Sequence, residues 1–464
     1  MAQAGDPVAQ AGDPGSFRDR SGRVFVRDGV LYRQVNRSFQ RHYDALMASG
    51  LYEALTERGL LVHHQEDDAA EPLSPDAYRV LRPERVSFVS YPYEWCFGQL
   101  RDAALATLEI GKLALEHGMS LRDASAYNIQ FREGGAVLID TLSFEILREG
   151  EPWVAYRQFC QHFLAPLALM RYRDLRLGQL FRLHVDGVPL DLALSLLPWR
   201  TRLRLGLLVH LHLHGRSLRR NAGTVPRREG RFSLRAFQGL VDSLRGAVEK
   251  LHLPKTSSAW TGYYSEGDSY APEALAHKEQ LVEEFVTEAD PSSLWDLGAN
   301  TGRFSRIAAA RGIPTVAFDV DPASVQVAYR TVVNDGETNL LPLVLDLTNP
   351  SPGIGWAGRE RADLVSRGPT DVVMALALVH HLAIGNNVPL DRIVSFFAEL
   401  APRLIVEFVP KSDPKVRLLL GAREDIFDDY TQRGFETAFE TRYEIERREP
   451  IKASERSLYL MRRR

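Results

Sequence analysis

The feature that most limits how this chain can fold is a series of short apolar segments, separated by helical stretches, between about residue 290 and the C-terminus. Strands that are apolar along their whole length and alternate with helices form parallel sheets with helices on both faces. The pattern predicts strands over residues 293–297, 315–319, 341–346, 371–377 and 403–408. Residues 443–446 and 457–461 predict a hairpin at the sheet edge. This part of the chain is therefore expected to be α/β.

Length and composition limit the possible classes of protein. The chain has 464 residues, 45% apolar and 25% charged, which is ordinary for two to four globular domains. Its net charge of -3 gives no general electrostatic reason to bind nucleic acid or an anionic membrane. The 2 cysteines, Cys96 and Cys160, cannot build a disulfide framework.

The chain shows neither a signal peptide nor an uncharged apolar run of membrane-spanning length. We therefore expect a cytoplasmic protein with no membrane partner. The oligomeric state cannot be inferred from the sequence.

Changes in composition divide the chain into four parts. Residues 1–20 contain the sequence AQAGDP twice and are expected to form a disordered tail. Residues 21–215 alternate strand-like and helix-like stretches, and residues 216–256 form a basic linker or helix. Residues 257–464 form the C-terminal domain. The Arg-rich stretch 199–235 is interpreted as a solvated connector, with a contact surface for RNA or an acidic partner as the alternative.

A small-residue turn follows the first strand of the C-terminal domain. The strand ends at Asp296, glycines stand at 298 and 302, and a helix is expected from about Thr301. Glycine lets the backbone approach a ligand closely, and a helix N-terminus offers N–H groups to a carboxylate. The turn alone is a weak signal, because many folds contain one.

Two more carboxylates follow at the ends of the next strands. Asp319 could accept the hydroxyls of a ribose, and Asp346 could accept the exocyclic amine of adenine. Carboxyl ends of parallel strands meet at one edge of a sheet, so the three acids should face one crevice. The simpler interpretation is that each Asp caps a helix. A dinucleotide-binding dehydrogenase is the competing fold, but the turn lacks its third glycine.

With these residues the C-terminal domain resembles class I S-adenosylmethionine-dependent methyltransferases. The resemblance implies a doubly wound, Rossmann-like sheet of seven strands, the last antiparallel. It implies that Asp296, Gly298, Asn300 and Gly302 hold the methionine part of the cofactor. Asp319 would hold the ribose, and Asp346 with the Leu347 amide would hold adenine. Asn300 replaces a glycine of the family pattern.

The fourth strand is followed by His380 and His381, either of which could serve as the catalytic base. Both could instead begin a helix and bond to the backbone. Glu407 and Lys411, after the fifth strand, could also line the pocket. The fold alone does not identify the acceptor. We expect an O or N nucleophile of a small molecule, with RNA or protein as the alternative.

The N-terminal half carries Asp123 and Asn128 five residues apart, and Asp140 twelve residues later. This pattern resembles the catalytic loop and metal-binding strand of protein-kinase-like and aminoglycoside-phosphotransferase-like enzymes. The resemblance implies an α+β domain in which Asp123 is the base. Asn128 and Asp140 would bind the metal only if the domain binds Mg-ATP.

The N-terminal half also departs from this pattern. Leu121 stands where such loops carry His, and the first lysine of the chain is Lys112, so the phosphate-binding lysine is missing. Arg33 could replace that lysine only in part, because a guanidinium is not a point charge. A pseudokinase is therefore expected. The alternatives are a helical substrate domain, or a nucleotide- or cofactor-binding regulatory protein without turnover.

Overall fold

The computed structural model describes residues 12–216, 233–253, 271–421 and 424–464. The chain divides into two compact units. One unit comprises residues up to 253 together with 353–362, and the other comprises residues 254–352 and 363–464. The repeated tail sequence lies almost entirely outside the described residues, as do Trp260, Tyr263, Tyr264 and Tyr270, which the sequence suggests as a cofactor lid.

The first unit begins with an antiparallel sheet of four strands in the order β1-β2-β4-β3. Its strands are β1 (Gly22–Arg27), β2 (Val30–Asn36), β3 (His64–Glu66) and β4 (Ala77–Pro83). Asp28 and Gly29 both have positive φ, of 51° and 77°, so β1 and β2 form the tight hairpin that the Asp-Gly pair predicts.

Two sequence predictions in this unit need correction. The helix predicted over 42–58 is two helices, α1 (Gln40–Ala48) and α2 (Leu51–Glu57), separated by Gly50 with a φ of 77°. The strand predicted over 86–90 is not a strand. Its backbone bonds to a side chain instead: the Ser90 N–H donates to Gln130, and the Gln130 amide donates to the Ser90 carbonyl.

The rest of the first unit is mainly helical around the long buried helix α3 (Phe97–Glu116). Two small antiparallel sheets pair β5 (Met119–Leu121) with β8 (Phe144–Ile146) and β6 (Ile129–Arg132) with β7 (Gly135–Leu138). The later helices are α4 (Tyr156–Phe159), α5 (Ala165–Tyr172), α6 (Leu190–Leu196), α7 (Leu205–Leu207) and α8 (Leu234–Glu249). Cys96 and Cys160 are free and buried here, and burial raises the pKa of each thiol to about 12.

The second unit contains a seven-stranded sheet in the order β11-β10-β9-β12-β13-β15-β14. Its strands are β9 (Leu294–Leu297), β10 (Thr315–Asp319), β11 (Leu340–Val344), β12 (Val372–Ala375), β13 (Arg403–Phe408), β14 (Tyr443–Pro450) and β15 (Ser457–Arg463). The first five are parallel, and β15 runs antiparallel to both β13 and β14. The predicted terminal hairpin is therefore present.

Helices accompany this sheet along the chain. They are α9 (Pro272–Ala289), α10 (Ser305–Ala309), α11 (Pro322–Asp335), α12 (Leu390–Leu400), α13 (Pro414–Leu420) and α14 (Gln432–Glu440). A core cluster joins α9 to the central strands through Phe285, Met374 and Ile405, all with no exposed area. The helix predicted from Thr301 begins at Ser305, because residues 301–304 form turns.

Candidate functional site

The strand order reverses between β9 and β12 in the second unit. The chain leaves β9 toward β10 on one side, and leaves β12 toward β13 on the other. Connections that diverge from two neighbouring parallel strands open a crevice at their carboxyl ends, which is where α/β sheets bind ligands. The turn after Asp296 and the segment leading to His380 lie at these two strand ends.

The turn after β9 has an unusual backbone. Gly298, Asn300 and Gly302 have positive φ values of 81°, 54° and 79°. A Cβ added to Gly298 would lie 3.2 Å from a methyl group of Leu378, so glycine also allows the turn to approach the end of β12. Asn is the residue that best tolerates this region after glycine, which explains its presence at 300.

Asp296 has a buried carboxylate that is only half satisfied. Its Oδ2 accepts a hydrogen bond of 2.6 Å from the Ser305 hydroxyl. Its Oδ1 is buried and accepts no hydrogen bond in the described part of the chain. Burial raises the pKa of Asp296 to about 7, although Ser305 and Lys278 oppose the shift. A buried oxygen without a donor points to a ligand group or a water at this position.

Asp319 lies at the end of β10 and is bonded to the same turn. Its Oδ2 accepts the Asn300 N–H at 2.7 Å, and its Oδ1 accepts the Asp321 N–H at 2.9 Å. Burial raises the pKa of Asp319 to about 6. Each carboxylate oxygen has a second lone-pair direction, so both could still accept a ribose hydroxyl.

Asp346 follows β11 by two residues and is half-buried, as is Leu347. Its Oδ1 accepts bonds from the N–H and the hydroxyl of Thr348, at 2.8 Å and 2.6 Å. The carboxylate thus holds its own loop. An adenine contact for Asp346 and the Leu347 amide remains a prediction.

The segment after β12 is irregular in a way that is common at functional sites. Ala377 has a φ of 48°, which is unfavourable for a residue with a Cβ, and residues His381–Gly385 form a π-helical turn. Strained backbone and π-helical turns are both enriched at functional sites. The strain leads directly into His380.

His380 has no exposed surface, and neither of its ring nitrogens has a hydrogen-bond partner among the described residues. Its ring lies 4.2 Å from that of His381, measured between centroids. Burial, and then the charges of His381, Arg456 and Lys278, hold the pKa of His380 well below its ordinary value. His380 is therefore a neutral imidazole that keeps one free lone pair.

A buried ionic array adjoins this region, and the sequence analysis identified it only in part. The Lys278 ammonium lies 2.7 Å from Glu407, and Arg456 lies 3.4 Å from Glu407 and 2.8 Å from Asp413. Lys278 also acts electrostatically on both Asp296 and His380. The sequence signal for Lys278 is its spacing: it falls on the buried face of α9, with Ala274 and Leu281. Lys411, the other suggested pocket residue, is paired with Asp425.

In the first unit, the residues of the kinase-like pattern converge but are bonded to one another. The Arg33 guanidinium donates to Asp140 Oδ1 at 2.7 Å, and the Ser143 hydroxyl donates to Asp140 Oδ2 at 3.1 Å. The Asn128 amide donates to Ser143 at 3.4 Å. Both oxygens of Asp140 therefore already have protein donors.

Asp123 accepts bonds from Ser125 and Gln158, and burial and the charge of Asp140 raise its pKa. Within residues 12–216, 233–253, 271–421 and 424–464, no group of three His, Cys, Asp or Glu side chains is arranged to hold a metal ion. As they stand, Asn128 and Asp140 do not fit a Mg-nucleotide.

No helix among the described residues is both long and apolar enough to cross a membrane.

Comparison with solved structures gives two informative similarities. The magnesium protoporphyrin IX methyltransferase ChlM from Synechocystis PCC 6803, solved with bound SAH, is 16% identical over 44% of this chain and 93% of its own, with a TM-score of 0.31. The bifunctional kinase-methyltransferase WbdD is 16% identical over 40% of this chain, with a TM-score of 0.28. The chain spans only 39% of WbdD. Similarities of this size do not establish an activity.

Comparison with known sequences is more decisive. No protein-family model matches the chain. The nodulation protein NoeA of Rhizobium meliloti (strain 1021) is 35% identical over 481 aligned residues, which cover 100% of both chains. The chain therefore belongs to the same family as the nodulation protein NoeA.

Proposed function

We propose that the second unit is an S-adenosylmethionine-dependent methyltransferase that acts on an oxygen or nitrogen nucleophile of a small molecule. The observation that carries the proposal is a pair of buried polar groups without partners at neighbouring strand ends, Asp296 Oδ1 and the His380 ring. Such groups cost free energy in the absence of a ligand, so a protein retains them where a ligand completes them. The seven-stranded topology with an antiparallel last strand is consistent with this reaction.

Residues of the turn and of β10 fit the cofactor. Asp296 Oδ1 can accept from the amino group of its methionine part, and the backbone from Gly298 to Gly302 allows close approach. Asp319 can accept the ribose hydroxyls, and Asp346 with Leu347 is assigned to adenine. When bound, S-adenosylmethionine supplies a methyl group on a positively charged sulfur, already activated for in-line displacement. The protein then has to supply alignment and a base.

His380 is assigned as that base. Its neutral imidazole can take the proton of a hydroxyl or amine, and burial excludes competing water. His381, half-buried beside it, is the second candidate. Lys278 and Arg456, with their partner carboxylates, surround His380 with fixed charges and limit the orientations of an incoming acceptor.

Calorimetry with S-adenosylmethionine and S-adenosylhomocysteine tests the cofactor site. We expect Asp319→Ala and Asp296→Asn each to weaken binding by about 1–3 kcal/mol, because each leaves a polar group of the ligand without its partner. Asp335→Asn, an exposed position at the end of α11, is the matched control and should bind as the wild type does. Unchanged affinity in both site variants would contradict the proposal.

For the first unit we propose a kinase-like domain without phosphoryl transfer. The strand order, the position of Arg33 on β2 and the cluster of Asp123, Asn128 and Asp140 support the kinase-like assignment. The bonds from Arg33 and Ser143 to Asp140 support the absence of transfer, because they occupy the oxygens a metal would need. Calorimetry of the whole chain with Mg-ATP should show no binding, and release of phosphate or transfer to casein would contradict this assignment.

A further inference from the structure

A short segment of the first unit exposes large apolar side chains to solvent. Trp199, Leu203 and Leu205 are 71%, 73% and 75% exposed. Side chains of this size are usually at least half covered, and three of them within seven residues form a continuous patch rather than scattered exposure. We call residues 199–205 the exposed segment.

The exposed segment is held firmly in place. Thr201, at its centre, has no exposed surface, and its hydroxyl bonds to Pro198 at 2.7 Å and to His212 at 2.9 Å. Gly206, which follows the segment, lies so close to α8 that an added Cβ would be 2.6 Å from the Cβ of Ala247. The apolar side chains are therefore presented to solvent by a packed structure.

The helical stretch after the segment extends the apolar surface. Leu205, Val209 and Leu213 are spaced four residues apart and lie on one helical face, and Val209 and Leu213 are 40% and 49% exposed. Leu207 and Leu211, which lie on other faces, are buried. The inner face thus packs into the unit, while the outer face remains uncovered.

Positive charge alternates with the apolar residues. Arg200, Arg202 and Arg204 are exposed, and none of them is within ion-pair distance of a carboxylate in the described ranges. Three uncompensated guanidinium groups beside a Trp and several Leu side chains match a surface that is anionic outside and apolar beneath. Arg binds phosphate groups in bidentate fashion, and Trp and Leu insert at the boundary between headgroups and acyl chains.

We propose that residues 199–213 dock this protein on an anionic phospholipid surface, with Arg200, Arg202 and Arg204 on headgroup phosphates and Trp199, Leu203 and Leu205 inserted beneath them. The docking is peripheral, which agrees with the lack of a spanning helix among the described residues. It differs from the expectation drawn from the net charge, because the net charge averages over the chain and hides a local cationic patch. The proposal is independent of the proposed methyl transfer.

Co-sedimentation of the whole chain with vesicles tests the proposal. Vesicles of phosphatidylcholine with 30% phosphatidylglycerol are compared with phosphatidylcholine alone, at low and at high salt, the fraction chosen as a roughly physiological anionic surface. We expect binding to the anionic vesicles only, weakened by salt because the headgroup attraction is screened. Equal binding to both vesicle types, or to neither, would overturn the proposal.

Two variants separate the contributions. We expect the triple variant Trp199→Ser, Leu203→Ser, Leu205→Ser, and the triple variant Arg200→Gln, Arg202→Gln, Arg204→Gln, each to raise the lipid concentration for half-binding about tenfold or more. Because the changed side chains are exposed, thermal unfolding should stay the same. The matched control is Trp356→Ser, a tryptophan that is 73% exposed elsewhere.

Two further outcomes would overturn the proposal. One is dimer formation by the wild type in sedimentation velocity that the apolar variant abolishes, since a second copy would then cover the patch. The other is binding of a single-stranded oligonucleotide that the arginine variant abolishes while vesicle binding is unaffected.

Discussion

The two units each contain a carboxylate that the sequence identifies as functional, and the two carboxylates differ in how they are bonded. Asp140 in the first unit has a protein donor on each oxygen. Asp296 in the second unit has one oxygen bonded to Ser305 and one buried oxygen with no donor in the described chain. A motif residue that is fully satisfied acts in the structure, whereas one left incomplete at a cost in stability indicates a ligand.

The largest expected effect concerns Asp296 and pH. Its pKa in the folded protein is about 7, above the ordinary value of 3.8. Between about pH 4 and pH 7 the folded state therefore binds more protons than the unfolded state, and the free energy of unfolding falls as pH rises. The loss should be of the order of a few kcal/mol, since each pKa unit corresponds to about 1.4 kcal/mol.

Urea unfolding at pH 5, 6, 7 and 8 measures this effect. Asp296→Asn should remove it, while the contribution of Asp319 stays in both proteins and cancels in the difference. Wild type and variant should therefore diverge as pH rises toward 7 and run parallel above it. Parallel curves over the whole range would contradict the incomplete bonding of Asp296.

The second effect concerns Asp140. Asp140→Ala removes the acceptor of Arg33, whose side chain is only 13% exposed, and that of Ser143. We expect the free energy of unfolding to fall by about 1–3 kcal/mol, with no change in affinity for S-adenosylmethionine. Asp186→Ala is the matched control, because the Asp186 side chain is 84% exposed and its pair with Arg18 should contribute little. If Asp140→Ala instead left stability unchanged, Asp140 would not be structural.

The smallest effect concerns His380. His380→Leu replaces a buried ring without hydrogen-bond partners by an apolar side chain of similar size. We expect the free energy of unfolding to rise by about 1 kcal/mol, because the desolvation cost of the ring is removed. Methyl transfer should be lost in the same protein. His381→Leu should not stabilise, and a loss of stability in His380→Leu would show that the imidazole is satisfied in solution.

Local signals in the sequence predicted much of this comparison. Positive φ at Gly298 and Gly302, the hairpin at Asp28-Gly29 and the five parallel strands follow from residue types a few positions apart. The side chains after Asp296 and at the end of β10 also meet as expected, since parallel strands place their carboxyl ends together.

Other features depend on contacts between distant residues, and the sequence could not predict them. The array of Lys278, Glu407 and Arg456 joins three elements that are far apart in the chain. The segment 353–362 clusters with the first unit although the chain on both sides belongs to the second. The strand predicted at 86–90 failed because a side chain 40 residues away, Gln130, takes the hydrogen bonds of Ser90.

The two cysteines have a practical consequence. Both thiols are buried, and with pKa values near 12 they contain almost no thiolate at neutral pH. A cysteine introduced by Leu203→Cys would therefore react with a maleimide dye far faster than either native thiol. Fluorescence from that one position could follow the arrival of the protein at a vesicle in real time, without first removing Cys96 or Cys160.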